Sequence, residues 1–187
     1  MIKIYEALIT DFTQADYTKE YSLLDCAFKE KICAKKSQLD KMRSLAGRIL
    51  LRRGAAEIYA KTEFDITYNK NSKPLTDFCF FNISHSENRV VCVFADGPVG
   101  IDIQKIIQVR KREKYKFFTD FENAYINADE NLISQRYTEV FAKKEAALKM
   151  LGLSIAEFGK IDTFSKEYKL SVQEKDGFVM AVCLKNS

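Results

Sequence analysis

Proline, glycine and long apolar runs are all scarce in this sequence. Its 187 residues include only 2 Pro and 7 Gly, too few for a collagen-like, low-complexity or linker-rich chain. No uncharged apolar run approaches the roughly 18 residues of a membrane-spanning helix. Residues 1–12 alternate apolar and polar side chains and include Glu6 and Asp11, which favours a strand over a signal peptide. We therefore expect a globular chain without membrane association.

The cysteines lack the spacing of a disulfide framework or a zinc site. There are five, an odd number, and no two form a C-x-x-C pair. This pattern favours buried, reduced thiols in a cytoplasmic protein. A catalytic cysteine paired with the sole histidine, His85, remains an alternative that no local motif supports.

Positive charge is concentrated between Lys31 and Lys61. This stretch holds nine Lys or Arg against two acids, a local charge of +7 in a chain whose net charge is +4. Such a field suits a phosphate-rich or acidic partner. A solvated helix face explains the same charge equally well.

Hydrophobic periodicity predicts an α+β chain. A strand over 2–9 is followed by a helical pattern over 16–33 and by a long helix that Ser37 caps and that runs to about Ala60. The following strands are expected at 66–68, 78–83, 89–95 and 99–103. The turn at 95–98, Ala-Asp-Gly-Pro, is expected to join the last two of these strands as a hairpin.

The second part of the sequence repeats this succession. A basic helix is predicted over 109–118, another helix begins after Thr119, and a long one spans 130–151. Strands are then expected near 161–164, 168–173 and 178–184. The length suits two tightly fused halves that share a core. We therefore predict two similar α+β halves, residues 1–97 and 98–187, in one compact unit, which favours a monomer.

Polar side chains share one face of the strand predicted at 99–103. Because strand side chains alternate between faces, Asp102 and Gln104 point the same way. A carboxylate and an amide at this spacing offer hard oxygen ligands to Mg²⁺. An amphipathic edge strand whose polar residues face water is the simpler explanation for an isolated match.

A second polar pair lies on the long helix predicted at 130–151. Glu145 and Lys149 are one turn apart and therefore share a helix face. They form either a routine surface ion pair or a site in which Glu145 contacts a metal and Lys149 a phosphate. The small residues Ala146 and Ala147 would let another element approach this helix closely.

A third motif, Asn-Ile-Ser-His-Ser at 82–86, follows Lys73-Pro74. A turn of this composition can offer a hydroxyl, an imidazole and backbone N–H groups to a phosphate, although a lone histidine is more often structural. A hydrolase triad of Ser84, His85 and Asp102 is excluded. Adjacent Ser and His cannot easily make the nucleophile–base contact, and the sequence has no G-x-S-x-G.

Together these segments resemble the Sfp-type 4′-phosphopantetheinyl transferases over nearly the whole chain. The resemblance implies two pseudo-symmetric halves, each a small antiparallel sheet packed with helices, with a coenzyme A site between them. It also implies Mg²⁺-dependent transfer of phosphopantetheine from coenzyme A to a serine of an apo acyl or peptidyl carrier protein, releasing 3′,5′-ADP. The segments that carry it are Lys-Pro at 73–74, FNISHS at 81–86, VGIDI at 99–103, KEA at 144–146 with Lys149, MRSLAG at 42–47, FFT at 117–119 with Glu122, and MAVC at 180–183.

The resemblance also implies roles for individual residues. Asp102 and Glu145 match the acids that bind the metal, and Glu145 or a water that it holds is the candidate base for the serine hydroxyl. Lys149 matches the lysine at the pyrophosphate. The remaining matches are Arg43 and His85 at the 3′-phosphate, Ser84 and His85 in the phosphate-contacting turn, and Lys73 and Pro74 beside the adenine. Lys144 matches the lysine that precedes the acid and is expected to contact coenzyme A.

The sequence departs from the family pattern at three positions. Gln104 stands where many members have a second acid, Ser72 replaces a glycine and Phe141 replaces a tryptophan. The first departure matters most, because an amide is a weaker Mg²⁺ ligand than a carboxylate. Three arrangements are open: Gln104 binds Mg²⁺ through its side-chain carbonyl, it holds a metal-bound water, or Mg²⁺ is held by two protein acids without it.

The segment 105–116 suits an acidic partner. It contains six Lys or Arg and the single acid Glu113, with Ile106, Ile107 and Val109 interleaved. Carrier proteins of this kind are usually acidic helical bundles, and a basic rim around apolar residues would dock an acidic helix. A solvated basic helix accounts for the composition equally well.

Two rival functions stay open on the sequence alone. A nucleic-acid-binding module would use the basic residues of 31–61 and 105–116. That hypothesis leaves Asp102 and Glu145 unexplained, because acids repel phosphates unless a metal lies between them. The other rival, suggested by Gln104, is a coenzyme A-binding protein of this fold that no longer catalyses.

Overall fold

A computed structural model gives the architecture of the chain and describes residues 1–109 and 114–186. None of the helices in these ranges combines the length and the apolar character that crossing a bilayer requires. Short 3₁₀ turns cover Ile9–Asp11, Glu130–Leu132 and Ile155–Lys160. The helices are α1 (Gln14–Ser22), α2 (Cys26–Ala34), α3 (Gln38–Tyr59), α4 (Asp120–Asn127) and α5 (Ile133–Leu151). The strands are β1 (Ile2–Leu8), β2 (Thr67–Tyr68), β3 (Pro74–Leu75), β4 (Phe80–Ser86), β5 (Arg89–Ala95), β6 (Val99–Lys105), β7 (Tyr168–Lys175) and β8 (Phe178–Lys185).

The strands form two three-stranded antiparallel sheets of the same design. The first has the order β1-β5-β4 and the second β6-β8-β7, so the last strand of each set lies in the centre. The long helix α3 packs on the first sheet and α5 on the second. The prediction of an α+β fold with small antiparallel sheets packed with helices is therefore confirmed, whereas the boundary near residue 97 stays a prediction.

The two sheets are joined by a third apolar core and by a row of side-chain hydrogen bonds. Valines of β5 pack against Ile101 and Ile103 of β6. β4 and β6 belong to different sheets, but three alternate side chains of β4 accept hydrogen bonds from backbone N–H groups of β6. The pairs are Asn82 Oδ1 with Ile101 N (2.9 Å), Ser84 Oγ with Ile103 N (3.3 Å) and Ser86 Oγ with Lys105 N (3.0 Å). We call this row the β4–β6 seam.

The helix caps follow the sequence signals closely. Ser37 accepts a hydrogen bond from the backbone N–H of Asp40 and begins α3, as predicted. The helical pattern over 16–33 is nevertheless split into two helices. Asp25 accepts from the N–H of Phe28 at 2.7 Å and starts a new helix there, because a strong N-cap side chain competes with continuation of the preceding helix.

Three strand and helix predictions are wrong. The turn at 95–98 does not form a hairpin, because both edges of β5 are already paired, and β6 pairs with β8 instead. No strand forms at 161–164, where Thr163 donates to Glu122 through both its N–H and its hydroxyl. Residues 114–118 of the predicted basic helix form turns, while residues 110–113 lie outside the described ranges.

The cysteine prediction holds in part. Cys92 and Cys183 are buried, and Cys79 is half-buried. Burial raises the pKa of all three thiols, to about 12 for Cys183, so they stay protonated and unreactive near neutral pH. Cys26 and Cys33 on α2 are exposed, which contradicts the expectation of burial for these two.

Candidate active site

The site begins where β6 crosses α5 at very close range. A methyl group on Gly100 would lie 1.9 Å from the carbonyl oxygen of Ala146 and 2.5 Å from the backbone nitrogen of Met150. Only glycine permits this approach, and the fully buried Ala146 and Ala147 keep the helix side equally thin. The crossing brings Asp102, one alternation further along β6, to the helix turn that carries Lys149.

Asp102 is a buried carboxylate, and both of its oxygens accept hydrogen bonds from neighbouring side chains. The residue is 1% exposed. Its Oδ1 accepts from Lys149 Nζ at 2.6 Å and from the Ser84 hydroxyl at 2.7 Å, and its Oδ2 accepts from the Gln104 amide at 3.0 Å. A buried charge needs such partners. The structure thus brings together four of the residues singled out in the sequence.

The hydroxyl of Ser84 is saturated within this cluster. It donates to Asp102 and accepts from the N–H of Ile103 at 3.3 Å and from Lys149 Nζ at 2.9 Å. A hydroxyl has one donor and two acceptor positions, and the residue is buried. In this arrangement Ser84 orients Asp102 and Lys149 and has no position left for a phosphate.

Glu145 lies at the same place with its carboxylate unpaired. It is half-buried, and within the described ranges it has neither a hydrogen bond nor an ion pair. Loss of hydration raises the pKa of Glu145, Lys149 opposes the rise, and the charge of Asp102 adds to it. A carboxylate with a raised pKa and no partner is a better proton acceptor than an ordinary surface glutamate.

These side chains supply the donors that Mg²⁺ prefers. Glu145 offers an unpaired carboxylate beside Asp102, and Gln104 donates through its nitrogen, which leaves its amide oxygen free. Hard oxygen ligands of this kind suit Mg²⁺. Within the described ranges no three His, Cys, Asp or Glu side chains form a metal cluster, so a metal here relies on two acids and the amide.

Arg43 and His85, the two residues expected at the 3′-phosphate, lie near the end of β4. Arg43 donates to the carbonyl of Glu87 at 2.5 Å and to Asp40 at 2.9 Å, which fixes its guanidinium near the end of β4. His85 is exposed there. Partial loss of hydration first, and then the charges of Lys149 and Arg43, lower the pKa of His85, so its imidazole is neutral at pH 7.

Lys73 and Pro74 line a separate cleft of ≈ 490 Å³. The wall is mainly residues 73–81, with Tyr59 and Val99. The ammonium of Lys73, however, turns towards α5 and donates to the carbonyls of Lys149 and Met150 at its end and of Val99 at the start of β6. The cleft is therefore bordered by the backbone and the aliphatic stem of Lys73.

Lys144 points away from the site into the protein. It is fully buried and pairs with the equally buried Glu122 at 2.8 Å. Its ammonium also donates to the carbonyl of Ile161 and lies 5.5 Å from the ring centroids of Phe118 and Phe158. This geometry contradicts the expectation that Lys144 contacts the co-substrate, because a buried ammonium with these partners cannot reach a ligand.

Glu122 is a residue whose importance the sequence did not reveal. Its Oε2 accepts from the N–H of Thr119 at 2.8 Å, as the capping pattern predicts. Its Oε1 accepts from Thr163. The carboxylate therefore joins α4, α5 and the segment before β7 through contacts far apart in the chain, for which no local signal exists.

Comparison with known proteins agrees with this arrangement. The family model described as the 4′-phosphopantetheinyl transferase superfamily matches residues 98–183. The chain is 33% identical over 117 residues to 4′-phosphopantetheinyl transferase gsp of Aneurinibacillus migulanus, which covers 60% of this chain and 49% of that protein. It is 27% identical over 166 residues to 4′-phosphopantetheinyl transferase Sfp of Bacillus subtilis, covering 77% and 74%.

A third relative, 4′-phosphopantetheinyl transferase psf-1 of Bacillus pumilus, is 30% identical over 146 residues, covering 70% of this chain and 59% of that protein. The matched part of the chain thus spans about half the length of gsp and about three quarters of Sfp. The matches include the strand with Asp102 and the helix with Glu145 and Lys149. Residues 98–183 match the 4′-phosphopantetheinyl transferase superfamily, and the chain is similar to Sfp-type members of that family.

Proposed function

We propose that this chain transfers the 4′-phosphopantetheine arm of coenzyme A to a serine of an apo acyl or peptidyl carrier protein, with Mg²⁺, releasing 3′,5′-ADP. The observation that carries the proposal is the cluster at the crossing of β6 and α5. Buried Asp102 is held by Lys149, beside the unpaired carboxylate of Glu145. The match of residues 98–183 to the family and the similarity to Sfp support the same reaction. We also propose that the protein acts in the cytoplasm and as a monomer.

In this mechanism Glu145 receives the proton of the serine hydroxyl, directly or through a water. The serine oxygen forms a bond to the phosphorus that bears the pantetheine arm. The bond from that phosphorus to the bridging oxygen breaks, and 3′,5′-ADP leaves with this oxygen. Lys149 would neutralise charge on the pyrophosphate with the N–H donor that its bonds to Asp102 and Ser84 do not use, and phosphoryl transfer relies on such positioning and neutralisation.

A bound Mg²⁺ would neutralise pyrophosphate charge. Asp102, Glu145 and the amide oxygen of Gln104 would hold it, and their oxygen donors suit that ion. Arg43 and His85 would bind the 3′-phosphate, with the guanidinium supplying the charge and the neutral imidazole a hydrogen bond. Lys73 and Pro74 would border the adenine with the wall of the ≈ 490 Å³ cleft.

The carrier protein would dock beside the segment 105–116. Phe117 and Phe121, just beyond it, are 59% and 77% exposed, an unusual exposure for phenylalanine. Lys114 and Lys116 lie just before Phe117 in the chain. Apolar anchors within a basic rim suit an acidic helical partner.

The decisive experiment is mass spectrometry of an apo carrier protein incubated with this chain, coenzyme A and Mg²⁺. The proposal requires a gain of one phosphopantetheine arm on the carrier and none on a carrier whose acceptor serine is alanine. No gain, together with a melting temperature raised by coenzyme A and Mg²⁺, would instead identify a non-catalytic coenzyme A-binding protein, the alternative that Gln104 suggests. Stabilisation by an oligonucleotide alone would favour the nucleic-acid-binding alternative.

Removal of the side chains that contact the 3′-phosphate should weaken binding of coenzyme A but not of dephospho-coenzyme A. We expect Arg43→Ala and His85→Ala each to raise KM for coenzyme A by about 10–150-fold, because a charged hydrogen bond contributes roughly 1.5–3 kcal/mol. KM for dephospho-coenzyme A, which lacks that phosphate, should change little. Arg53→Ala is the control, since Arg53 lies on the same helix and packs over Phe12. Equal losses with both co-substrates would remove Arg43 and His85 from the 3′-phosphate.

A charge at position 104 should strengthen the metal site. We expect Gln104→Glu to lower the Mg²⁺ concentration for half-maximal activity with little change in saturated turnover, because a carboxylate is the better Mg²⁺ ligand. Without Mg²⁺ the variant should melt at a lower temperature, since the new charge replaces the amide that donates to Asp102. Gln173→Glu on the exposed strand β7 is the matched control. An unchanged Mg²⁺ midpoint would exclude Gln104 from the metal site.

A further inference from the structure

Strands β2 and β3 pair as a short antiparallel hairpin. This hairpin contacts the end of α5, the helix that carries Glu145 and Lys149. Lys73 Nζ donates to the carbonyl oxygens of Lys149 at 2.5 Å, Met150 at 3.3 Å and Val99 at 3.4 Å. An ammonium has three N–H donors, and these carbonyls use all of them. The side chain therefore has no donor left for a nucleotide phosphate.

Two of these carbonyls, those of Lys149 and Met150, lie in the last turn of α5, where an α-helix lacks N–H partners for its carbonyls, and the third, that of Val99, lies at the start of β6. The last turn of α5 ends at Gly152, whose N–H bonds back to Leu148 and Lys149. A lysine ammonium at this end also opposes the negative end of the helix dipole. Lys73 comes from a point 76 residues earlier in the chain, so it fixes α5 against a different part of the fold.

A second residue of the same hairpin supports this contact. Asn71 Nδ2 donates to the carbonyl of Gly152 at 2.7 Å. The turn itself is stabilised by Asn69, whose side chain accepts from the N–H groups of Asn71 and Lys73 at 3.0 and 2.9 Å. The hairpin thus presents two donor side chains in a fixed geometry to the carbonyls of Lys149, Met150 and Gly152 at the end of α5.

The residue held most closely is Lys149 itself. Its carbonyl accepts the shortest bond from Lys73, while its own ammonium bonds Asp102 at 2.6 Å and Ser84 at 2.9 Å. A shift of the helix end would therefore move the Lys149 ammonium directly. The hairpin also forms a wall of the ≈ 490 Å³ cleft, so a molecule in that cleft touches the segment that holds Lys149.

We propose that Lys73 is a positioning residue, which fixes the end of α5 so that the Lys149 ammonium stays on Asp102. The proposal rests on the function proposed above for the role of Lys149 in turnover, but the position of Lys149 can be tested without it. A molecule bound in the cleft at Lys73 and Pro74 would then affect the position of the Lys149 ammonium through the hairpin.

The first test measures the accessibility of Lys149 independently of any reaction. Competitive acetylation of lysines with acetic anhydride, followed by peptide mass spectrometry, reports the reactivity of each ammonium. We expect Lys73→Met to raise the labelling rate of Lys149 several-fold, because the side chain loses its fixed ion pair. Lys70→Met, an exposed lysine in the same hairpin, is the control and should leave it unchanged. An unchanged rate in Lys73→Met would overturn the proposal.

The second test is a double-mutant cycle on transfer to a carrier protein. Lys73→Met should lower kcat by about 10–100-fold, the effect of misplacing a catalytic group by roughly 1 Å, with a smaller change in KM for coenzyme A. In a Lys149→Met background it should add less than about twofold, because residues that act through one another are not additive. If the two substitutions lower kcat independently, so that their fold-losses multiply, or if Lys73→Met changes only KM, then Lys73 acts on the ligand directly.

A milder variant covers the case in which Lys73→Met does not fold. Asn71→Ala removes one exposed bond to the same helix end and should change Lys149 labelling and kcat in the same direction but less. If the unsubstituted protein shows no transfer at all, the proposed function fails, while the labelling result still decides whether Lys73 positions Lys149.

Discussion

Replacement of Glu145 by Gln should reduce the rate of transfer by about 10²–10⁴-fold, the usual contribution of a general base. The substitution keeps the size of the side chain and removes the carboxylate that lies unpaired beside Asp102. Loss of Mg²⁺ affinity would add to the effect. Turnover on an apo carrier protein, measured at saturating coenzyme A and over a range of Mg²⁺, separates the two contributions, because only the second is recovered at high Mg²⁺.

The matched control for this variant is Glu139→Gln on the same helix. Glu139 pairs with Lys143 at 2.5 Å and accepts from the hydroxyl of Tyr125, away from the site, so turnover should be nearly unchanged. The pH dependence adds a further check. Because burial raises the pKa of Glu145 in the metal-free protein, protons should compete with Mg²⁺ at a higher pH than at an ordinary glutamate, so acidification should raise the Mg²⁺ concentration needed for activity. Near-normal turnover of Glu145→Gln would show that another group takes the proton.

Substitution of Lys144 by Met should cost about 3–5 kcal/mol of unfolding free energy, the usual result of breaking a buried ion pair from one side. Both Lys144 and Glu122 are fully buried, so the variant leaves an uncompensated carboxylate in the core. The free energy is measured by urea unfolding. Adding Glu122→Gln to Lys144→Met should recover part of the loss, because it removes the remaining charge.

The neighbouring lysine provides the control for this second variant. Lys143 pairs with Glu139 on the partly exposed side of α5, where an ion pair contributes about 0–1 kcal/mol. Lys143→Met should therefore change stability little. If Lys144→Met were as mild as Lys143→Met, or if it raised KM for coenzyme A without a loss of stability, the structural role of Lys144 would be wrong.

The sequence predicted the parts of the site that depend on local periodicity. Asp102 and Gln104 do share a strand face, and Ala146 and Ala147 do let another element, which is β6, approach α5 closely. Periodicity also carries a signal that the side chain of Lys144 is buried. Lys144 lies four residues from both Val140 and Leu148, which are buried, so the helix pattern places it on the core face.

Other features could not be predicted, because they depend on contacts between distant residues. The three acceptors of Lys73 and the saturation of Ser84 arise from residues 18–77 positions away in the chain. The same limit explains the error at the turn after β5. Turn composition indicates a reversal of direction, but whether the next strand pairs with β5 depends on the edges already occupied by β1 and β4.

The β4–β6 seam has a consequence for the order in which the protein folds. Each of its three hydrogen bonds joins residues 19 positions apart, so closing this loop costs little chain entropy. Lys149 lies 65 residues from Ser84 and 47 from Asp102. Contacts of short sequence separation tend to form first. We therefore expect Ser84 and Asp102 to meet early in folding, and the arrival of α5 to complete the site only near the end.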